Sequence, residues 1–562
     1  MKRNFLFMSV LASLLITGCS QEEITPNSED SGNGKANTSY MTVNLMSSDV
    51  TGPRTQSGYE DGTDFENKVT KVRFYFFTEN GIATNVKLQG SSYVNYYDWP
   101  SVEQIGDINE DDDIESKLKA TIVINTKAGD KLPQMMVAVL NPIDNLGNVS
   151  KDLDDLKKIY KDYASAPYIG EGKFVMFNSV YGGDNKTEVC AIPVKAENLC
   201  KTKEDAKLHP VIIHVERSVA KVTVSLGDAV KAAATDKLAL QDTKGNNLTI
   251  DGKQVYLKLG GWALTAETNN SRLVKKIDPI KWTSEWWNGT HRSFWAINSP
   301  DAKNKYKNYI TDINTAISTA LYTNENAAKA GGNDTPELAK TKVILKGTLC
   351  KEDGSELTLV RHLGAYYADT YSETPSANLP ALKKSILTQL KANGKNFYYG
   401  NSTSRTQIDT DDLQIVIAKQ QDKEESKNNC YVYAQLTDAA KGKTWYNSSA
   451  QSVTEPIETD VINDALKNKE VVDWALVWKS GMTYYYYEII HNKTDDGTIT
   501  YGVVRNHVYK TNVTKIAGFG TPVYDPEKLI YPEKPDPNDH FIAAEIDILS
   551  WRIVNFDYEL EW

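Results

Sequence analysis

Short runs in which every second residue is apolar recur along this chain, and they constrain its fold more than any other feature. The cleanest lies at the end, where Val554, Phe556, Tyr558, Leu560 and Trp562 alternate with Asn555, Asp557, Glu559 and Glu561. Strict alternation describes a strand with one buried face. Chain ends fray unless something holds them, so this strand raises the question of which groove receives it. A shorter run stands near the other end, where Met41, Val43 and Leu45 alternate with Thr42 and Asn44. That run also reads as a strand.

Between them, strand signals follow at short intervals. "KVTKVRFYFFTENG" is a strand running into an Asn80-Gly81 turn, and "LKATIVINT" and "QMMVAVLNP" read as core strands. A second strand-rich block opens at "HPVIIHVERSVAKVTVSL", after the polar stretch "KAENLCKTKEDAKL". It continues through "VYLKLGGWALTAET" and through a pair of strands turning at Asp353-Gly354. The 31 Tyr and 11 Trp add to the β tendency. Helical patterns appear at 152–164, and then as insertions in the second block at 312–323, 379–393 and 459–470. Many short strands with turn signals argue for β-sandwiches. A Pro-rich linker, "TPVYDPEKLIYPEKPDPNDH", precedes the last two strands, Phe541 to Leu549 and Val554 to Trp562.

Several function classes drop out. The net charge of −11 disfavours nucleic acid as a partner. No nucleophile elbow, phosphate loop, zinc-protease motif or dinucleotide fingerprint occurs, so the chain reads as a non-enzyme. Cys190, Cys200, Cys350 and Cys430 lack zinc-ligand spacing, although Cys190 and Cys200 are near enough in sequence to bridge. The acidic run Asp107 to Glu115 lacks the spacing and glycine of a calcium loop and reads as a solvated loop. No metal or cofactor is called for. His507 reads as a structural histidine. The four Trp between Trp282 and Trp295 could stack on sugars but more often pack a core or an interface.

The N-terminus reads as a targeting segment. Lys2 and Arg3 precede an apolar stretch, Phe5 to Ile16, too short to span a membrane. It ends in "ITGC", with Cys19 in the position of a bacterial lipoprotein cysteine. Cleavage before Cys19 and its fatty acylation would anchor the precursor without a transmembrane helix. A polar tether, Ser20 to Ser39, leads to the first strand. After that strand comes "SSDVTGPRTQSGYEDGT", a loop of turn formers around Arg54, which by itself reads as an ordinary loop and would also make a target for an Arg-specific protease.

These residues together resemble a known family. The tail "GVVRNHVYKTNVTKIAGFGTPV…ILSWRIV", Gly502 to Val554, resembles the C-terminal signature of type V fimbrial shaft subunits, the fimbrillins of short, minor-type fimbriae in anaerobic Gram-negative bacteria. "VERSVAKVTV", Val215 to Val224, resembles the opening of their second domain, and Cys19, Met41 to Leu45 and Arg54 follow the layout of their precursors. The resemblance implies two transthyretin-like β-sandwich domains, with helical insertions in the second and a C-terminal donor-strand extension. It implies a signal peptide over 1–19, a propeptide with a removable strand over 20–54, an N-terminal domain over 55–208, a C-terminal domain over 209–535, and terminal strands over 536–562. It further implies cleavage between Arg54 and Thr55. Loss of Met41, Val43 and Leu45 would then open a groove, and Val554, Phe556, Tyr558, Leu560 and Trp562 of the next subunit would fill it.

Independent physics supports such an exchange. A sheet missing one strand exposes two edges and an apolar trough. Five inward side chains at ~1.5–3 kcal/mol each would contribute a gross ~8–15 kcal/mol before ordering costs. The expected product is a head-to-tail homopolymer on the cell surface, with accessory tip and anchor subunits, an Arg-specific protease and the outer membrane as partners. Its roles would be adhesion to host or bacterial surface ligands and biofilm formation. Competing readings are a tip adhesin, an anchor subunit, or a surface glycan-binding lipoprotein built on the Trp cluster. Phe541 to Leu549 is an alternative donor.

Overall fold

The computed structural model describes residues 37–48, 62–99, 114–126, 129–183, 186–281, 291–327, 339–418, 431–493, 497–532, 544–549 and 554–559. The chain is mainly β. Among the described residues no helix is long and apolar enough to cross a membrane.

The first domain is built on an eight-stranded sheet, with the smaller strand pairs Lys87–Gln89 with Ser92–Val94 and Tyr181–Gly182 with Glu188–Val189. The order of the large sheet is Tyr96–Trp99, Val72–Phe77, Met135–Leu140, Met176–Asn178, Val211–Arg217, Asn37–Ser48, Ile114–Thr126, with Ile192–Pro193 beside Met135–Leu140. "VRFYFF" at Val72–Phe77 is buried along its whole length, and its one charged residue, Arg73, is paired with Asp98 at 2.6 Å. Asn80-Gly81 makes the expected turn, Gly81 taking a φ of +77° that side chains resist. The core gathers Phe74, Phe76, Met136, Val137, Ile122 and Ile124 with Met41, Val43 and Leu45.

The second domain faces two five-stranded sheets across a shared core. One runs Leu321–Thr323, Ala220–Leu226, Val508–Val513, Ala544–Leu549, Val554–Glu559; the other runs Leu238–Ala239, Tyr256–Thr265, Lys342–Cys350, Met482–Glu488, Thr521–Pro522. Val222, Val224 and Tyr509 from the first sheet meet Leu257, Trp262, Leu345 and Tyr485 from the second. The chain leaves the eight-stranded sheet at Ser218-Val219. Val211–Arg217 pairs in the first sheet, and Ala220–Leu226 in the second domain.

A third core is built from the chain inserted in sequence between Lys342–Cys350 and Met482–Glu488, which pair with each other. It joins a five-stranded sheet to the helices Pro380–Ala392 and Thr459–Lys467. Pro380 starts its helix, where a missing N–H costs nothing. Leu382, Ile386 and Leu390 repeat every fourth residue on its buried face. Residues 312–323, expected as a helix, form turns ending in the strand Leu321–Thr323. Thr315 exchanges backbone hydrogen bonds with Trp262, and the Asn314 amide donates to the carbonyls of Ile310 and Thr311. Those local bonds compete with a helix.

Candidate assembly site: the first strand and its groove

Asn37–Ser48 is an interior strand. It runs antiparallel to Ile114–Thr126 over twelve residue pairs and parallel to Val211–Arg217 over five. Met41 and Val43 are fully buried, and Leu45 is 1% exposed. Val43 stands opposite Ala120 on one side and Val211 on the other; Leu45 stands opposite Leu118 and Ile213. On the reverse face Thr42 is buried, its hydroxyl 3.3 Å from that of Thr121. Tyr40 exchanges backbone hydrogen bonds with Cys200 at 2.7 and 2.8 Å, and the helix Lys203–Leu208 packs beside the strand. Three such side chains give a gross ~5–9 kcal/mol of apolar burial.

The groove closes at its Leu45 end on the joint between the two domains. The short helix Asp64–Asn67, the first described element beyond the Arg54 loop, is pinned there. Its Glu66 is fully buried and accepts from Lys221 at 2.9 Å and from the Tyr322 hydroxyl at 2.7 Å, both in the second domain. Burial alone would raise this carboxyl, but Lys221, the Thr63 N–H and Tyr322 outweigh it and hold it below its ordinary value. Arg217, at the end of the strand flanking the groove, donates to the Glu66 carbonyl at 3.2 Å and to the Asn67 side chain. Its backbone N–H donates to Asn506 at 3.2 Å. Deeper in the joint, Glu216 accepts from Lys275 at 3.3 Å, and Glu325 from Arg505 at 2.7 Å. Sequence reasoning missed this ion network. A usable signal was present: Glu216 and Arg217 follow an alternating apolar run without a turn former between.

The C-terminal strand Val554–Glu559 pairs antiparallel with Ala544–Leu549 and is the outer strand of its sheet. The other donor candidate, Ala544–Leu549, is bonded on both sides, with Val508–Val513 as its second neighbour. Val554, Phe556 and Tyr558 are described by backbone course alone. Cys19, Arg54, Thr55, Leu560, Trp562 and most of the acidic run lie outside the described residues.

Other nominated residues have packing surroundings. Trp295 is fully buried in the first core, whereas Trp282, Trp286 and Trp287 lie outside the described residues. His507 is fully enclosed, its Nδ1 2.9 Å from the Arg505 carbonyl, and burial first, then His491 and Arg292, keeps it neutral. Cys190 carries a buried free thiol, pushed up to about 11 by burial, so no Cys190–Cys200 bridge forms. Among the described residues no group of three or more His, Cys, Asp or Glu is placed to hold a metal ion.

Residues 477–557 match the family model described as major fimbrial subunit protein type IV, fimbrillin, C-terminal. Over those residues the chain is similar to the C-terminal part of fimbrillins. No curated protein matches the sequence. Among solved structures, a candidate cell adhesion protein from Parabacteroides distasonis is similar at 10% identity and a TM-score of 0.36, covering 91% of this chain and 96% of its own. A fimbrilin from Porphyromonas gingivalis is similar at 12% identity and 0.34, covering 92% and 98%. The tip fimbrial protein Mfa3 from the same species, with a C-terminal truncation, is similar at 11% and 0.33, covering 92% and 100%. The likeness to fimbrillins rests on the C-terminal match and not on these global superpositions.

Proposed function

We propose that this chain is a structural shaft subunit of a cell-surface fimbria, exported as an outer-membrane lipoprotein through Cys19. An Arg-specific protease cuts between Arg54 and Thr55. The strand carrying Met41, Val43 and Leu45 then leaves, and Val554–Trp562 of a second copy takes its place.

The observation that carries this reading is the position of Asn37–Ser48. It is an interior strand of the first sheet, yet it precedes Arg54 in sequence, so a single cut separates it from the chain that follows. Losing it exposes the edges of Ile114–Thr126 and Val211–Arg217 together with an apolar trough, a state that demands a replacement strand. The donor, an outer strand, can be redeployed by breaking one ladder. Head-to-tail filling that does not close yields a filament.

A tip subunit would need no donor, and an anchor would keep its lipid and resist the cut. This chain carries both a removable strand and a donor, which favours the shaft. The test is N-terminal sequencing of subunits from isolated fibres, with immunogold labelling. The reading expects Thr55 at the N-terminus and label along the whole fibre. Label confined to fibre ends, or an intact N-terminal strand in the polymer, would overturn it.

A further inference from the structure

In the second domain, two short strand pairs frame an open cleft of about 550 Å³. Asn304–Lys305 pairs with Glu267–Thr268, and Lys307–Asn308 pairs with Leu529–Ile530. Both pairs are anchored from behind. Tyr309, Ile313 and Ile530 are buried together with Ile344 and Tyr484, and the Tyr309 hydroxyl donates to the Gly347 carbonyl at 2.6 Å. The cleft volume falls within the ~300–1,000 Å³ of small-ligand sites.

Its lining combines aromatic rings with hydrogen-bond acceptors. Tyr306 and Tyr531 are half-buried, with ring centroids 4.5 Å apart and planes inclined at 47°. Leu529 stands beside them, 45% exposed. The two cations of the lining are neutralised: Lys305 pairs with Asp162 at 3.0 Å and Lys307 with Glu267 at 2.7 Å. Asp312 stays ionised. Partial burial raises its carboxyl, but the Asn308 N–H and the Thr311 hydroxyl outweigh that and hold it below its ordinary value. Those two donors lie at 2.8 Å, one on each carboxylate oxygen. A carboxylate has about four acceptor positions, so about two remain for a ligand. The Asn304 amide nitrogen is committed to the carbonyls of Ala266 at 2.7 Å and Ala339 at 3.2 Å, which fixes that side chain and leaves its oxygen to accept. A cleft with an ionised carboxylate and no surplus cation disfavours phosphate, sulfate or carboxylate ligands. It suits a neutral molecule with one apolar face and several hydroxyl donors.

We propose that this cleft binds a neutral saccharide. Tyr306 and Tyr531 pack on the C–H face of a pyranose ring, and Asp312 and Asn304 accept from its hydroxyls. The site uses none of the residues of the first strand or its groove, and it gives the subunit a ligand of its own whatever its place in a fibre.

The test places the uncut, full-length precursor on an array of immobilised neutral hexose and N-acetylhexosamine glycans, with sialylated and sulfated glycans beside them. Neutral glycans should be retained, and their charged counterparts retained less. Tyr306→Ala and Tyr531→Ala should each weaken retention of the best neutral glycan about tenfold, and Asp312→Asn about fivefold. Tyr306→Phe keeps the ring and should bind like the parent. Leu529→Glu alters an exposed residue only, so it should keep the parent's melting temperature while retention is lost. Failure of the parent to retain any neutral glycan would overturn the proposal. So would a preference for sialylated or sulfated glycans, or undiminished retention by Leu529→Glu and both alanine variants.

Discussion

The two strands at opposite ends of the chain are held very differently. Asn37–Ser48 has a neighbour on each side and buries Met41, Val43 and Leu45. Val554–Glu559 has a single neighbour, Ala544–Leu549, at the margin of its sheet. The better-held strand precedes Arg54 in sequence, and the loosely held one carries the longer aromatic pattern. An interior strand cannot be traded at equilibrium while it is tethered, because leaving breaks two ladders at once. An outer strand can. On the proposed reading, the contrast gives covalent cleavage a physical role, since a cut at Arg54 would change which of two strands the groove prefers.

The largest effect that would sharpen this contrast comes from the interior strand. Val43→Asp puts a carboxylate between Ala120 and Val211, and should destabilise the first domain of the uncut precursor by about 4 kcal/mol or more. Urea unfolding should show the loss in one transition, with the third core unaffected. Glu66→Ala comes next. It leaves Lys221, which is nearly buried, without its partner and removes the Tyr322 bond, so roughly 3 kcal/mol should be lost at the domain joint. Hydrogen exchange should rise in 62–70 and 217–222. A near-neutral result would mean that the joint is held by packing alone.

A pH effect of a few degrees in melting temperature should follow. His214, on the strand flanking the groove, stacks on His291 at 3.9 Å, and burial and then that neighbour lower it to about 4. The unfolded chain takes up this proton first, so His214's contribution is present above about 6.5 and is lost as pH falls towards about 4. His214→Gln should flatten the slope in that window. Deleting 554–562 should have the smallest effect on the monomer, about 1 kcal/mol, because a single outer ladder is lost. A loss as large as that of Val43→Asp would erase the distinction between the two strands.

Much of this organisation was legible from alternation. Met41, Val43 and Leu45 announced a buried face, and Asp353-Gly354 and Asn80-Gly81 marked turns that positive-φ glycines make. The helices Pro380–Ala392 and Thr459–Lys467 followed from their apolar spacing. What alternation does not encode is the identity of a neighbour. It could not say that Asn37–Ser48 lies between Ile114–Thr126 and Val211–Arg217, strands about seventy and one hundred and seventy residues away. Nor could it pair Val211–Arg217 with Asn37–Ser48 and Met176–Asn178, across the polar stretch that precedes it. Residues 312–323 had a helical pattern, but Trp262 recruited Thr315 through backbone bonds that only the fold creates. The Glu66–Lys221–Tyr322 contact joins residues from three distant segments and was beyond a reading by period.

The most direct measurement is on purified precursor treated with an Arg-specific protease, with and without residues 554–562. The parent should give ladders that resist SDS, and the deletion variant should be cut at the same bond yet stay monomeric. Ladders of equal extent from the deletion variant would contradict the account, because the groove would then be filled by some other strand.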